Sequence, residues 1–223
     1  MRRTLGLLLL STTGWCQVAK EANREYETEE GRARMAGVLE SPSRLENLRP
    51  AELMQRLEIR PGSTVVDLGT GTGTLLRDLS KAVGVEGRVI AEDIHQDFLD
   101  LARERVKEAA RHNVEFVLGT ETDPKLPASA ADLVIVLDVY HHFDYPERML
   151  AGIKQSLRPG GRLAIVEYHK KRGAMERDPD FALTHIRASA EQVVQEIEAA
   201  GYELLWRRDH APEKQYIAMF RVK

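Results

Sequence analysis

Short apolar runs alternate with stretches of helical periodicity over most of the chain, and this alternation limits the folds that it can adopt. Seven runs have the composition of β-strands, at residues 64–68, 88–94, 114–118, 133–137, 162–167, 203–208 and 215–222. Helical patterns follow four of them, at residues 73–83, 98–106, 146–157 and 190–200. Such alternation favours a parallel sheet with helices on both faces. We therefore expect a doubly wound, mostly parallel α/β fold.

Two segments precede this pattern. A helix is expected from Ser41-Pro42 until Arg60-Pro61-Gly62 stops it, with leucines at near-helical spacing in between. Residues 20–41 are rich in Glu and Arg, and we interpret them as a solvated helix or linker that leads into the fold outside its core. The folded domain is therefore expected to span residues 42–223.

The first 19 residues have the layout of a secretory signal peptide. Arg2 and Arg3 precede an apolar run at residues 5–10, and small or polar residues follow. The run is too short to span a bilayer. Export to the periplasm or the medium is one interpretation, and a disordered leader on a cytoplasmic protein is the other.

Charge and cysteine content restrict the partners. The formal net charge of −3 gives no long-range attraction to a polyanion, and the basic residues between Arg158 and Arg172 are too dispersed to form a patch, so no nucleic acid partner is expected. The single cysteine, Cys16, excludes an intrachain disulfide and a cysteine-based metal cluster. Nothing in the sequence indicates the oligomeric state.

The most specific local pattern is a glycine-rich turn between the first strand and the helix after it. Residues 65–73 read VVDLGTGTG, in which Asp67 ends the strand and glycines follow at GxGxG spacing. Glycine lets the backbone approach a ligand closely, because a side chain would occupy that space. The spacing differs from the GxGxxG of dinucleotide-binding loops. A tight turn without a ligand is the alternative interpretation.

An acidic pair closes the second strand. Glu92 and Asp93 follow the glycine turn by roughly the 20 residues at which a ribose-binding acid is expected in Rossmann-like folds. A carboxylate at that point can accept hydrogen bonds from ribose hydroxyls. We therefore favour a nucleoside contact over an ordinary surface carboxylate.

Four motifs occur in a recognisable order, namely VVDLGTGTG, VIAEDI, ADLVIVLDVYHHF and LRPGGRLAIVEY. With them, residues 60–222 resemble a class I, Rossmann-like S-adenosylmethionine-dependent methyltransferase. The resemblance implies that the last two strands form a closing hairpin, which inserts one antiparallel strand into the seven-stranded sheet. It also implies a methyl transfer from S-adenosyl-L-methionine to a small-molecule acceptor.

The same resemblance assigns the cofactor site. Residues of the glycine turn would cradle the methionine end, namely Asp67, Gly69, Thr70, Gly71 and Gly73. Asp93 would hold the ribose, Ile94 would lie against the adenine, and Asp138 would complete the site. The family's acid after the third strand is replaced here by Thr120 and Glu121, and either of these can meet the adenine amino group.

The acceptor side is expected after the fourth strand, where Asp138 is followed by Tyr140, His141, His142 and Phe143. This position is the carboxyl edge of the sheet, where ligands of open α/β sheets bind. Because histidine accepts a proton near neutral pH, our hypothesis is that His141 or His142 orients or deprotonates the acceptor, with Tyr140 beside them. His169, after the fifth strand, is a second candidate.

No metal site is expected, because His141 and His142 would point in different directions on an extended segment and no further ligand lies at a suitable spacing. Two other functions stay open. One is a non-catalytic S-adenosylmethionine or nucleoside binder of the same fold, since a fold does not prove a function. The other is a nicotinamide-dependent oxidoreductase, against which the GxGxG spacing argues.

Overall fold

The computed structural model describes residues 13–223, with side chains from residue 18 onward. Most of the predicted leader, including its apolar run, lies outside the described residues, as does the side chain of Cys16. The end of the leader belongs to a helix, α1, that spans Thr13–Asn23. None of the helices within the described residues is both long and apolar enough to cross a bilayer.

The centre of the fold is one sheet of seven strands. These are β1 (Thr64–Leu68), β2 (Arg88–Asp93), β3 (Val114–Leu118), β4 (Ala131–Leu137), β5 (Leu157–Tyr168), β6 (Tyr202–Ala211) and β7 (Gln215–Val222). Their order is β3-β2-β1-β4-β5-β7-β6, and β7 is antiparallel to both of its neighbours. The predicted doubly wound sheet with a C-terminal hairpin is confirmed.

The inner strands are apolar on both faces because helices cover both faces of the sheet. All five residues of β1 are buried, and β4 is buried at all but one position. Alternate side chains point to opposite faces, so Val66 and Val134 join one core cluster while Val65 and Leu133 join the other. This double burial holds the carboxyl ends of β1 and β4 rigidly side by side.

Helices cover the sheet and precede it. After α1 come α2 (Glu29–Leu39), α3 (Pro42–Leu48), α4 (Pro50–Leu57), α5 (Leu76–Val83), α6 (Gln96–Glu108), α7 (Pro146–Ser156), α8 (Phe181–His185) and α9 (Ala190–Ala199). Two 3-10 helices, Arg24–Tyr26 and Tyr140–His142, lie between them. A capping box at Ser189 begins α9.

The single helix expected between residues 42 and 57 is wrong, because the structure divides it into α3 and α4. The break is at Arg49, which has a left-handed backbone with φ 46°. Proline disfavours a helical conformation at the residue before it and is favourable at the first position of a new helix. Pro50 therefore ends α3 and begins α4. The predicted ends of the other elements differ from the observed ones by a few residues, most at β5, which begins at Leu157 instead of residue 162.

Candidate active site

The glycine-rich turn after β1 has a backbone that only glycine adopts without strain. Gly69 has φ 73°, and a Cβ atom there would lie 2.6 Å from a methyl carbon of Val139, which follows β4. The amide of Gly69 donates to the backbone carbonyl of Glu92. Gly69 thus lets the turn pack directly against the neighbouring strand ends.

Gly73 has a different role from the one that the family resemblance implies. It does not line the cavity beside the turn, and a Cβ atom there would lie 2.8 Å from Leu76 and 2.9 Å from Ala102. Gly73 therefore allows the turn to pack against α5 and α6. The contact of Gly73 with a cofactor stays a prediction.

A cavity of about 210 Å³ opens beside the turn, at the carboxyl ends of β1, β2 and β4. Most of the predicted cofactor residues line it, namely Asp67, Gly69, Thr70, Gly71, Ile94, Thr120, Glu121 and Asp138. We call this space the turn cavity. The side chains that the sequence separates by up to 71 positions therefore meet at one edge of the sheet, where the strands end.

The buried carboxyl groups of Asp67 and Asp138 line the turn cavity. Burial raises the pKa of Asp67 to about 6, although the hydroxyl of Thr70 donates to its Oδ2 at 2.7 Å. Asp138 has a left-handed backbone with φ 53°, and its carboxylate accepts from Arg44 at 3.0 Å and from Gln215 at 2.7 Å. Burial raises its pKa to about 6 as well. Both carboxyl groups can form hydrogen bonds with a ligand.

Asp93, the predicted ribose acid, is turned toward the backbone. Its Oδ2 accepts from the amide of Gly71 at 2.9 Å and its Oδ1 from the amide of His95 at 2.9 Å. Its neighbours Glu92, Ile94 and His95 line the turn cavity, whereas Asp93 itself does not. Burial raises the pKa of Asp93 to about 6. The carboxylate thus fixes the position of Gly71 and lies directly behind the cavity wall.

The two alternatives for the adenine contact lie in one turn after β3. The hydroxyl of Thr120 is engaged within this turn, where it donates to the carbonyl of Asp123 and accepts from the amide of Asp123. Glu121 is exposed at the cavity mouth. The Glu121 carboxylate is thus the freer of the two to meet a ligand.

The N-terminal segment covers the turn cavity, which the sequence did not indicate. Asn23, Tyr26, Leu39 and Arg44 line the cavity, and Tyr26 lies parallel to His95 with ring centroids 6.1 Å apart. Burial raises the pKa of Tyr26 to about 12. Residues 20–41 therefore belong to the site and are more than a solvated linker. The one signal in the sequence was an aromatic residue, Tyr26, within a strongly charged segment.

A second cavity, of about 510 Å³, adjoins the turn cavity, and we call it the histidine cavity. Its walls come from α1 to α3, from the end of β4 and from the segment between β5 and α9. Five residues line both cavities, namely Tyr26, Leu39, Arg44, Asp138 and His142. The two cavities therefore adjoin along these five residues.

Three histidines line the histidine cavity. His141 and His142 lie in the 3-10 helix after β4, and His185 ends α8. Burial, followed by the neighbouring histidines, lowers the pKa of His142 well below its ordinary value, and burial lowers the pKa of His185 to about 3. His142 and His185 are therefore neutral at pH 7. His185 had no motif around it that could have identified it.

Tyr140 and His169 lie outside both cavities. The Tyr140 hydroxyl donates to Glu196 of α9 at 2.9 Å, and its ring is buried in the core under the guanidinium of Arg187. His169 pairs with Asp209 at 3.1 Å. Successive side chains of a 3-10 helix point about 120° apart, so Tyr140 faces the core when His142 faces the cavities. Tyr140 is therefore not positioned to touch a bound acceptor.

Comparisons with known proteins agree with this geometry. A family model described as a methyltransferase domain matches residues 65–161. The ubiquinone/menaquinone biosynthesis C-methyltransferase UbiE of Hydrogenovibrio crunogenus is 33% identical over 113 residues, which are 50% of this chain and 44% of that protein. The demethylmenaquinone methyltransferase of Lactococcus lactis is 34% identical over 119 residues, which are 52% of this chain and 46% of that protein. The matched region thus covers less than half of either relative.

The similarity in three dimensions extends further along the chain. A crystal structure of a SAM dependent methyltransferase from Aquifex aeolicus superposes with a TM-score of 0.76 and 27% identity. The alignment covers 85% of this chain and 98% of that chain. It therefore includes regions on both sides of the 65–161 match.

Proposed function

Because the chain belongs to the class I S-adenosylmethionine-dependent methyltransferases, we propose that it methylates a small molecule held in the histidine cavity. The observation that carries this proposal is the wall common to the two cavities, which includes Arg44, Asp138 and His142. Methyl transfer requires the nucleophile, the methyl carbon and the sulfur to lie in a line. Two adjoining cavities offer that arrangement.

The turn cavity fits S-adenosylmethionine by the chemistry of its lining. Asp67 and Asp138 would meet the cationic methionine end with their carboxyl groups, and Gly69, Thr70 and Gly71 would bring the backbone close to it. Asp93 would turn from the amide of Gly71 toward the ribose hydroxyls. Ile94 would cover one face of the adenine, and Glu121 or Thr120 would meet its amino group.

The bound cofactor would supply an electrophilic methyl group. The chain would align the reacting atoms and exclude water from the site. Tyr26 and Leu39 close the turn cavity from the side of the N-terminal helices and exclude water from it. Positioning of this kind is in general worth on the order of 7 to 11 kcal/mol. His142 lines both cavities, so it would position the polar end of the acceptor where they adjoin. His141 would act beside it.

The lining of the histidine cavity indicates the kind of acceptor. Apolar side chains form one part of it, namely Met35, Val38, Met175 and Phe181, and the histidines form another. We infer an acceptor with an apolar body and one polar reacting end. The quinone precursors suggested by the names of the two curated relatives have that character, and they are the first acceptors to test.

Calorimetry and methyl transfer test the proposal together. The full-length protein should bind S-adenosylmethionine and S-adenosylhomocysteine, and Asp93→Ala should weaken both by about 10- to 100-fold, the value of one or two hydrogen bonds to a charged group. Asp100→Ala, on the exposed face of α6, is the matched control and should leave binding unchanged.

Radiolabelled S-adenosylmethionine then separates an enzyme from a binder. Incubation with demethylated quinols, phenols and a metabolite extract should transfer label, and His142→Ala should reduce turnover more than it reduces cofactor affinity. Binding without any transfer would favour a non-catalytic binder. The absence of any binding by folded protein would contradict the proposal as a whole.

A further inference from the structure

Three imidazole rings converge on one point of the histidine cavity. The ring centroids of His141 and His142 are 4.1 Å apart, and those of His185 lie 4.9 and 5.6 Å from them. One nitrogen from each ring can be chosen so that all three lie within 4.8 Å of one another. The 3-10 geometry after β4, in place of the extended segment assumed from the sequence, brings the two adjacent histidines together.

The tautomer of His142 leaves one nitrogen open. Its Nδ1 lies 2.7 Å from Oδ1 of Asn23. The amide nitrogen of Asn23 donates to the carbonyl of His142 and to Asp144, which fixes the amide with its oxygen toward the ring. The His142 Nδ1 must therefore be the donor, and its Nε2 carries a lone pair.

His141 is oriented in the same way by a carboxylate. Its Nδ1 lies 2.7 Å from Oε2 of Glu167, which also accepts from the His141 amide. The second oxygen of Glu167 accepts from the amide of Tyr168 at 2.7 Å. Because Glu167 is held from both sides, it fixes the His141 ring as an Nδ1–H donor with a free Nε2. Histidines that bind metals are held by outer partners of this kind.

We propose that His141, His142 and His185 bind one divalent transition metal ion of the Zn²⁺ type. Imidazole is a preferred ligand of such ions, and three protein ligands with one open position are typical of catalytic zinc sites. Asn23 and Glu167 act as the outer partners.

Metal binding requires the three imidazole rings to move slightly closer together. Zinc–nitrogen distances are about 2.0 to 2.1 Å, so nitrogens as far as 4.8 Å apart must approach each other by roughly 1 Å. His185 can make this movement, because its ring rests on Phe181 with centroids 4.6 Å apart and has no hydrogen bond within the described residues. His141 and His142 are held in place and define the site.

The open position of the metal faces the histidine cavity. If the proposed methyl transfer is correct, on which this step alone depends, the metal would bind an acceptor through an oxygen or sulfur lone pair at its polar end. An ion there polarises the bound oxygen or sulfur and favours loss of its proton to solvent. The acceptor class is then narrowed to molecules with a metal-binding reacting end.

Zinc titration of chelator-treated, full-length protein tests the site without any activity assay. Calorimetry and elemental analysis after dialysis should give one Zn²⁺ per chain, and His185→Gln should abolish this binding. His185 is half-buried at the cavity edge, so the variant is expected to fold, and circular dichroism checks this. His112→Gln, an exposed histidine far from the cluster, should keep full stoichiometry.

The outer partners give a second measurement. Glu167→Gln should weaken zinc binding by about 10- to 100-fold. Wild-type protein without tight zinc binding, or a folded His185→Gln variant that binds as wild type does, would overturn the proposal. Titration of the same samples with the cofactor distinguishes the metal proposal from the methyltransferase proposal. Zinc binding without cofactor binding refutes only the methyltransferase proposal. Cofactor binding without zinc binding refutes only the metal site.

Discussion

The two adjoining cavities are built in different ways. The turn cavity rests on a short contiguous loop, in which Gly69 adopts a left-handed backbone and Asp93 holds the amide of Gly71. The histidine cavity has no such motif. Asn23 from the N-terminal segment contacts His142, and His185 approaches from the segment before α9, so its parts meet only after the chain has folded.

This difference in construction corresponds to the difference between a cofactor shared by a family and an acceptor specific to one enzyme. A cofactor used by a whole family can be held by backbone geometry, which depends on few residues. An acceptor differs from enzyme to enzyme and is surrounded by side chains from loops and terminal segments. We therefore expect substitutions that change the backbone conformation to have their largest effect at the turn cavity. Substitutions that remove contacts between distant residues should have their largest effect at the histidine cavity.

The largest effect is expected at the glycine turn. Gly69→Ala adds strain from the left-handed backbone, about 1 to 2 kcal/mol, and a contact with Val139 that costs about 1 to 3 kcal/mol. The free energy of unfolding in urea should fall by about 4 kcal/mol. Gly62→Ala has the same backbone strain with free space around it, and should cost only about 1 to 2 kcal/mol. Equal losses of unfolding free energy in the two variants would mean that the contact with Val139 does not contribute to the cost.

The second largest effect is expected at the ion pair between Arg44 and Asp138, which joins the N-terminal helices to the turn cavity. Arg44→Met leaves the buried carboxylate of Asp138 without its guanidinium partner, and the free energy of unfolding should fall by about 3 kcal/mol. Adding Asp138→Asn should recover part of this loss, because the unpaired charge is then removed. Arg24→Met, in an exposed pair with Glu21, should cost less than about 0.5 kcal/mol. A double variant no more stable than Arg44→Met alone contradicts this account.

A pH effect is expected from Asp93, which lies behind the wall of the turn cavity. Its folded-state pKa of about 6 lies above the ordinary value of 3.8, so the folded protein holds this proton more tightly than the unfolded chain. The stabilisation is complete below about pH 4 and is lost as the pH rises through 6. The stability of wild type relative to Asp93→Asn should therefore fall by about 2 kcal/mol between pH 4 and pH 7. Asp100→Asn should show no such trend in denaturant titrations.

The smallest effect is expected at Thr70. Thr70→Val removes the hydroxyl that donates to Asp67 while keeping the shape of the side chain, and should cost about 1 kcal/mol of unfolding free energy. It should also weaken cofactor binding severalfold, as the Asp67 carboxylate loses its orientation. Thr184→Val, at an exposed hydroxyl of α8, is the control and should be neutral within about 0.5 kcal/mol. A neutral Thr70→Val would show that Asp67 needs no such support.

Local patterns predicted most of the fold and part of the lining of the turn cavity. Periodicity identified the seven strands, because buried strands require continuous apolar runs, and the turn after β1 identified the sheet edge at which the turn cavity opens. The split at Pro50 was missed, although proline marks it. Gly73 and Tyr140 were assigned to the site from motif position alone, whereas the surroundings of Gly73 depend on packing against Ala102 and the direction of the Tyr140 side chain depends on its contact with α9.

The sequence by itself determined the sheet, the order of strands and helices along the chain, and the glycine-rich turn after β1, because these depend on hydrophobic periodicity and on glycine. Only the tertiary structure decided that Asn23, Tyr26 and Arg44 cover the site and that His185 joins His141 and His142. Contacts between residues far apart in the chain leave no local pattern. They arise where separate elements are packed against one sheet edge, and there the histidine cavity is formed.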